Sequence, residues 1–318
     1  MTNSYETVII GGGPAGLAAA KHLAFYQRKV LVIDRKTGPL WYNLNPIHNY
    51  PGITRPISGQ SLIKQLKGEV TALGAEIKHA NAIKIEGIFP NFTITTQLLS
   101  DSQKTEIIQA KTILLATGVS IIHPKVNHQW ENWLAVTQKA GTCYYCIDCE
   151  APLMQGKKVE IVSVGTVNQA IKNALALRRF VSDVEIFICT DGFILPNDED
   201  KRMLENSGFT WRIGMLQSVS IIAPGIRQVL TTQAQEKITA NTFFVSSIRR
   251  PRAELAREAG IKLTEHGAII ADEQGNTNIK GIWAAGDVRP VARQIAVAAG
   301  TGNYAALMIN KALNEPGH

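Results

Sequence analysis

A short apolar strand, Thr7-Val-Ile-Ile10, runs straight into Gly11-Gly-Gly-Pro-Ala-Gly16, and that junction limits what the chain can fold into. Leu17, Ala20, Leu23 and Ala24 follow at helical spacing, and Val30-Leu-Val-Ile33 reads as a second buried strand ending in Asp34. Strand, G-x-G-x-x-G turn, helix, strand and acid make one complete nucleotide-binding unit. Glycines in the turn let backbone amides approach a pyrophosphate at the helix N-terminus, while the acid takes two ribose hydroxyls. Asp34 stands 18 residues after Gly16, near the separation this geometry requires. The unit predicts a dinucleotide in an α/β fold. It does not separate FAD from NAD.

The second feature is Gly141-Thr-Cys-Tyr-Tyr-Cys-Ile-Asp-Cys-Glu150. It puts Cys143, Cys146 and Cys149 at three-residue steps, with Cys189 the remaining cysteine. Two thiols separated by two residues close a small loop, and such a pair can cycle between dithiol and disulfide. The same spacing serves as half a zinc site or opens an iron–sulfur run, and inert thiols would look no different. A cluster run would continue with a fourth cysteine and a proline, where Glu150-Ala-Pro152 stands instead. No second C-x-x-C and no paired histidines complete a zinc set. The residues alone leave the redox, metal and inert readings open.

At 318 residues, with 45% hydrophobic and 19% charged, the chain has the length of about two domains and an ordinary globular composition. No apolar run reaches the roughly 18 residues of a membrane span, so no membrane role is expected. The stretch Met1 to Glu6 leads directly into a strand without signal-peptide character, and four cysteines do not make a secreted disulfide framework. A cytoplasmic location follows as the expectation. The net charge of +7 is modest and its basic residues are scattered, densest at Arg249-Arg-Pro-Arg252. That pattern speaks against nucleic acid and suits an acidic protein partner.

Four more segments occur in a telling order: Ile47-His-Asn-Tyr-Pro-Gly52, Thr112-Ile-Leu-Leu-Ala-Thr-Gly118, Gly281-Ile-Trp-Ala-Ala-Gly-Asp-Val288, and Arg293-Gln-Ile-Ala296 with Ala299-Gly-Thr-Gly302. With them the chain resembles, from end to end, the low-molecular-weight, bacterial-type thioredoxin reductase family. The resemblance implies two Rossmann-like FAD/NAD(P)-binding domains of α/β class, one inserted in the other. Residues 1–119 and 245–318 would form the FAD domain, and 120–244 an inserted NAD(P)H-type domain carrying the cysteines. It implies an FAD-dependent disulfide oxidoreductase, a homodimer, and a protein disulfide substrate such as thioredoxin. The implied FAD site comprises Gly11, Gly13, Pro14, Ala15, Gly16, Asp34, Arg35, Asn49, Ala116, Thr117, Gly118, Gly286, Asp287, Arg293, Gln294 and Ile295. Tyr145-Cys-Ile-Asp-Cys-Glu150 is similar to the family's Y-C-x-x-C-D. By that likeness Cys146 and Cys149 form the redox disulfide, Cys149 facing the flavin and Cys146 attacking substrate. Glu150 then stands in for the acid/base aspartate, and Cys143 is a buried residue, a resolving thiol or an alternative partner of Cys146.

The insert departs from the family pattern. Lys157 to Val164 and Asn168 to Phe180 keep a strand and helix, but the turn between them reads Gly165-Thr-Val-Asn-Gln-Ala170. A branched Val167 there is expected to obstruct a pyrophosphate. The next strand ends in Cys189-Thr-Asp-Gly192, where Asp191 would repel a 2′-phosphate but could hold the ribose of NAD. These departures, with aromatic Trp41-Tyr42 and Tyr144-Tyr145, resemble the pyridine-nucleotide-independent branches, the diflavin-linked disulfide oxidoreductases above all. The expectation is therefore a chain that works without NADPH. Electrons would come from an acidic carrier such as ferredoxin, or through a second FAD sandwiched by Trp41 or Tyr144. Alternatives carried alongside are a ferredoxin-dependent flavin thioredoxin reductase, a flavin reductase of the ferredoxin–NADP type, and a non-catalytic flavin sensor or electron carrier. The sequence names neither donor, disulfide substrate nor direction of flow.

Overall fold

The structure is a computed structural model that describes residues 4–101, 103–191 and 195–315. Gly192 of the turn discussed above, and Met1 to Asn3, lie outside the described residues. The first strand, Ser4–Ile10, sits centrally in a seven-stranded sheet. Val30–Ile33 and then Glu76–Lys78 pair parallel on one side of it, and Thr105–Leu115 pairs parallel on the other. The latter strand is shared. Ile282–Ala284 pairs parallel with its C-terminal end, and the hairpin Ala80–Ile88/Asn91–Leu98 pairs antiparallel with its N-terminal part. Every residue of Val30–Ile33 is buried, which is why it reads as an unbroken apolar run, as strands covered on both faces do.

Helix Pro14–Phe25 opens with proline at its first turn and no side-chain cap. A Cβ on Gly16 would come within 1.9 Å of the Gly11 carbonyl oxygen, so glycine is what lets the helix start tight against the turn. The long C-terminal helix Ile295–Asn314 crosses it through Gly302, where a Cβ would lie 2.0 Å from the Ala15 carbonyl oxygen.

A second sheet holds five parallel strands in the order Cys143–Tyr144, Thr242–Ser246, Lys158–Ser163, Asp183–Cys189, Thr210–Gly214. Period-two alternation splits its side chains between two cores. Val159, Ile161, Ile186 and Phe244 pack with Val167, Ala170 and Leu177 of helix Val167–Leu177 and with Leu204 of helix Asp198–Asn206. Val162, Phe187, Phe243 and Val245 pack against Leu216, Leu230 and Ile238 of a three-stranded antiparallel sheet. The chain passes between the two sheets through Val119–Ile121 and Arg249–Pro251, which pair antiparallel with each other. Both sheets are thus Rossmann-like α/β layers. Among the described residues no helix is long and apolar enough to cross a membrane.

Candidate active site

A cavity of about 1320 Å³ runs from the first nucleotide-binding turn to the redox turn and on to the turn at Gly165. Every residue assigned to the FAD site from sequence lines it except Gly16, whose role is the close approach to Gly11. The lining offers a cradle for a dinucleotide. A Cβ on Gly13 would meet no protein atom within 4 Å, so the turn presents bare backbone to open space beside the start of helix Pro14–Phe25. Asp287 lines the same space, and its buried Oδ1 has no hydrogen-bond partner among the described residues. Burial raises its pKa, while the guanidinium groups of Arg249 and Arg293 pull the other way. A carboxylate left in that state suits a polar ligand that completes its hydrogen bonding. The residues fit FAD.

Asp34 is buried at the end of its strand, as the sequence required, but it is not free. It accepts from the Lys36 amide at 3.0 Å and is ion-paired to Lys67, whose ammonium also lies 4.8 Å above the Trp41 ring. Nothing in the local motif pointed to Lys67, which comes from the helix Gly59–Ala72.

Cys146 and Cys149 form a disulfide, with their Cα atoms 5.3 Å apart across the one-turn helix Ile147–Glu150. Gln294 places its Nε2 3.5 Å from Cys149 Sγ, and Asn49 Nδ2 donates to Gln294 Oε1 at 3.0 Å. The fold therefore strings Asn49, Gln294 and Cys149 together from three distant parts of the sequence. Cys143 is free and buried, and burial pushes its thiol pKa up, which keeps it protonated and unreactive.

Glu150 is only 5% exposed yet fully partnered. Its Oε2 accepts from the amides of Tyr145 at 2.8 Å and Cys146 at 2.9 Å. Its Oε1 accepts from Asn45 at 3.2 Å and Asn43 at 3.3 Å. Burial raises its pKa, and these four donors oppose that shift. Around the turn, Trp133 Nε1 donates to the Tyr145 hydroxyl at 3.0 Å, and His123 Nδ1 lies 2.9 Å from the same oxygen. Burial lowers the His123 pKa to about 4, which keeps the ring neutral. Arg249, on the crossing strand, donates to the Tyr145 carbonyl at 2.8 Å. Asn43, Asn45 and Arg249 were missed from sequence. The loop Gly38 to Asn43 stood out for its aromatics, but a contact spanning about a hundred residues leaves no local pattern.

Two of the aromatic and donor-site expectations are corrected by side-chain direction. Tyr144 does not face the cavity; it is 3% exposed and packs in the core of the second sheet, so it cannot sandwich a ring. Trp41 does line the cavity. Val167 is 4% exposed, its side chain joining Ile161, Ile188 and Phe244 in the core beneath helix Val167–Leu177. Thr166 caps that helix by accepting from the Gln169 amide, and Gly165, Thr166 and Val167 line the cavity. The branched side chain of Val167 is packed into the core. Asp191 is 8% exposed, with His128 Nδ1 3.0 Å from its Oδ2.

The comparisons with known proteins agree with this correction. The family model for pyridine nucleotide-disulphide oxidoreductases matches residues 5–302. The chain is 28% identical to a thioredoxin reductase of Peptoclostridium litorale over 99% of both proteins. It is also 28% identical to a 34.2 kDa protein in the rubredoxin operon of Clostridium pasteurianum, over 96% of each. The thioredoxin reductase structure from Streptococcus pyogenes has the same fold, with a TM-score of 0.79 at 23% identity, covering 98% of this chain and 99% of that one. The family is pyridine-nucleotide dependent, which overturns both the nucleotide-independent branch and the expectation that NADPH is not used. The need that had suggested ferredoxin or a second FAD falls with it. The chain belongs to the pyridine nucleotide-disulphide oxidoreductase family, as a flavin-dependent, thioredoxin-reductase-like enzyme.

Proposed function

We propose that the protein carries electrons from a pyridine nucleotide, through FAD and the Cys146–Cys149 disulfide, to a protein disulfide of the thioredoxin kind. The observation that carries this reading is the position of Cys149, 3.5 Å from the Gln294 amide at the end of the dinucleotide cradle. Residues near 1–119 and 245–318 would form the flavin unit, and 120–244 the nucleotide unit. The paired crossing strands Val119–Ile121 and Arg249–Pro251 support such a division, with the second boundary after strand Thr242–Ser246, which pairs within the second sheet.

Bound in the cradle, FAD supplies two-electron chemistry between a nicotinamide and a disulfide. The chain's own residues do the rest. The amides of the Gly11–Gly16 turn would hold the pyrophosphate, Asp34 and Arg35 the adenosine end, and Asp287 and Arg293 the phosphate–ribityl stretch. Gln294 fixes Cys149 at the flavin end. Once the pair is reduced, the Cys146 thiolate attacks a substrate sulfur, forming a mixed disulfide and expelling one substrate thiolate. The Cys149 thiolate then attacks Cys146, re-forms the Cys146–Cys149 bond and expels the second. Two electrons pass to the substrate, and two protons end on its released sulfurs. Glu150, buried and hydrogen-bonded to the Cys146 amide, is the acid/base group for this exchange.

The test is an anaerobic titration of the purified holoprotein with NADH and with NADPH, read at the flavin absorbance, followed by addition of oxidised thioredoxin. Bleaching by either nucleotide and reoxidation by thioredoxin are expected. A flavin that neither nucleotide reduces would end the proposal.

A further inference from the structure

The two halves of the molecule meet at the redox turn through several polar ties, and three of them run through one side chain. Asn45 lies on the flavin side, just before the short strand Pro46–Ile47, and is 5% exposed. Its Nδ2 donates to the Cys143 carbonyl at 2.7 Å and to Glu150 Oε1 at 3.2 Å, and its Oδ1 accepts from the Gly141 amide at 2.9 Å. One amide thus grips the start, middle and end of the segment 141–150. Asn43 reinforces it twice over. Its Oδ1 accepts from the Asn45 amide at 2.8 Å, and its Nδ2 reaches Glu150 Oε1.

We propose that Asn45 is a positioning residue that fastens the Cys146–Cys149 turn against the dinucleotide cradle. The inference rests on the function proposed above. Three observations carry it. Cys146 and Cys149 both line the cavity that the dinucleotide cradle opens into. The covalent connection between the halves is confined to the two short crossing strands, so the noncovalent ties decide how firmly the turn is held. Lastly, the Asn45 amide is matched at both ends. A buried amide without partners would be costly, and this one keeps its full set only while the turn stays docked. Gln294 orients Cys149 from the same side but holds a single weak contact to sulfur. Asn45 holds the backbone.

The decisive variant is Asn45→Asp, which keeps the shape and replaces the Nδ2 donor with an oxygen facing Glu150 Oε1 and the Cys143 carbonyl. The holoprotein is reduced with dithiothreitol under argon and pulsed with iodoacetamide, and the labelling rate of each cysteine is read by mass spectrometry. Cys146 should label about tenfold faster than in the unmodified protein, the factor expected from losing about 1.4 kcal/mol of docking. Cys143 and Cys189, both buried, serve as internal controls and should stay unlabelled. Faster labelling of all three would mean general loosening and would overturn the proposal, as would an unchanged Cys146 rate with FAD bound. Should Asn45→Asp fail to fold, Asn43→Ala must show a smaller rise confined to Cys146, and no rise there is equally fatal. The labelling needs neither nucleotide nor thioredoxin. Absence of nucleotide-driven turnover together with a Cys146-specific rise would sink the proposed function and leave the positioning role standing.

Discussion

Replacing Glu160 with Gln should stabilise the protein, by an amount that grows with pH. Glu160 is fully buried in the central strand Lys158–Ser163, and neither of its carboxylate oxygens has a hydrogen-bond partner among the described residues. The nearby cations are committed elsewhere. Lys158 and Arg212 both pair with Glu185, at 2.7 and 2.6 Å, and Glu185 lies beside Glu160 in the parallel register. Desolvation first, and the Glu185 charge second, raise the Glu160 pKa from 4.5 to about 8. An acid whose folded pKa is raised holds its proton longer in the folded than in the unfolded chain. Stability is therefore fully present below about pH 4.5 and is lost as pH rises toward 8. At 1.36 kcal/mol per pH unit the loss is about 1 kcal/mol at pH 5, about 3 at pH 7 and about 5 at pH 9. Glutamine has the size of the protonated acid and does not titrate, so it escapes this loss. An unfolding entropy of roughly 2.1 cal/mol/K per residue gives about 0.7 kcal/mol/K for this chain. Glu160→Gln should then raise Tm by about 1 °C at pH 5, about 5 °C at pH 7 and about 7 °C at pH 9. Thermal melts followed by circular dichroism at the three pH values measure this directly. A Tm difference that stays flat or narrows with rising pH would refute the reasoning.

Gly13→Val should give folded but colourless protein, because its Cβ meets no protein atom and points where a pyrophosphate would lie. Full FAD occupancy in that variant would displace the cradle. Cys149→Ser should leave FAD content unchanged while stopping reduction of thioredoxin and trapping it as a mixed disulfide on Cys146; normal turnover would remove Cys149 from the electron path. Val167→Ala should cost about 1–3 kcal/mol of stability from the emptied core position, with KM for the nucleotide unchanged. A tenfold fall in that KM would restore the view that Val167 obstructs the phosphate.

The nucleotide-binding unit was legible in the sequence because everything it needs is local. A buried strand, a turn with no room for side chains and a helix start lie within one stretch, and Gly11 to Gly16 could hardly do anything else. The same holds for the cysteine pair, whose three-residue spacing closes a disulfide without help from the rest of the chain. Its redox meaning came from resemblance, since spacing alone left metal and inert readings open.

What the sequence could not decide was where each side chain points once the strands are stacked. Val167 was placed correctly at the second turn but assigned the wrong direction, because a helix's first residue can face either the ligand or the sheet, and only the packing with Ile161 and Phe244 settles which. Tyr144 differs from expectation for the same reason, its ring being taken up by the core. The ties that dock the redox turn are further still from view. Asn45 and Glu150 are separated by 105 positions, and an asparagine in a loop carries no mark of the carbonyl or carboxylate it will find there. Local backbone geometry is written in neighbouring residues, whereas the partner of a buried polar group is chosen by the tertiary fold that removes water from around it.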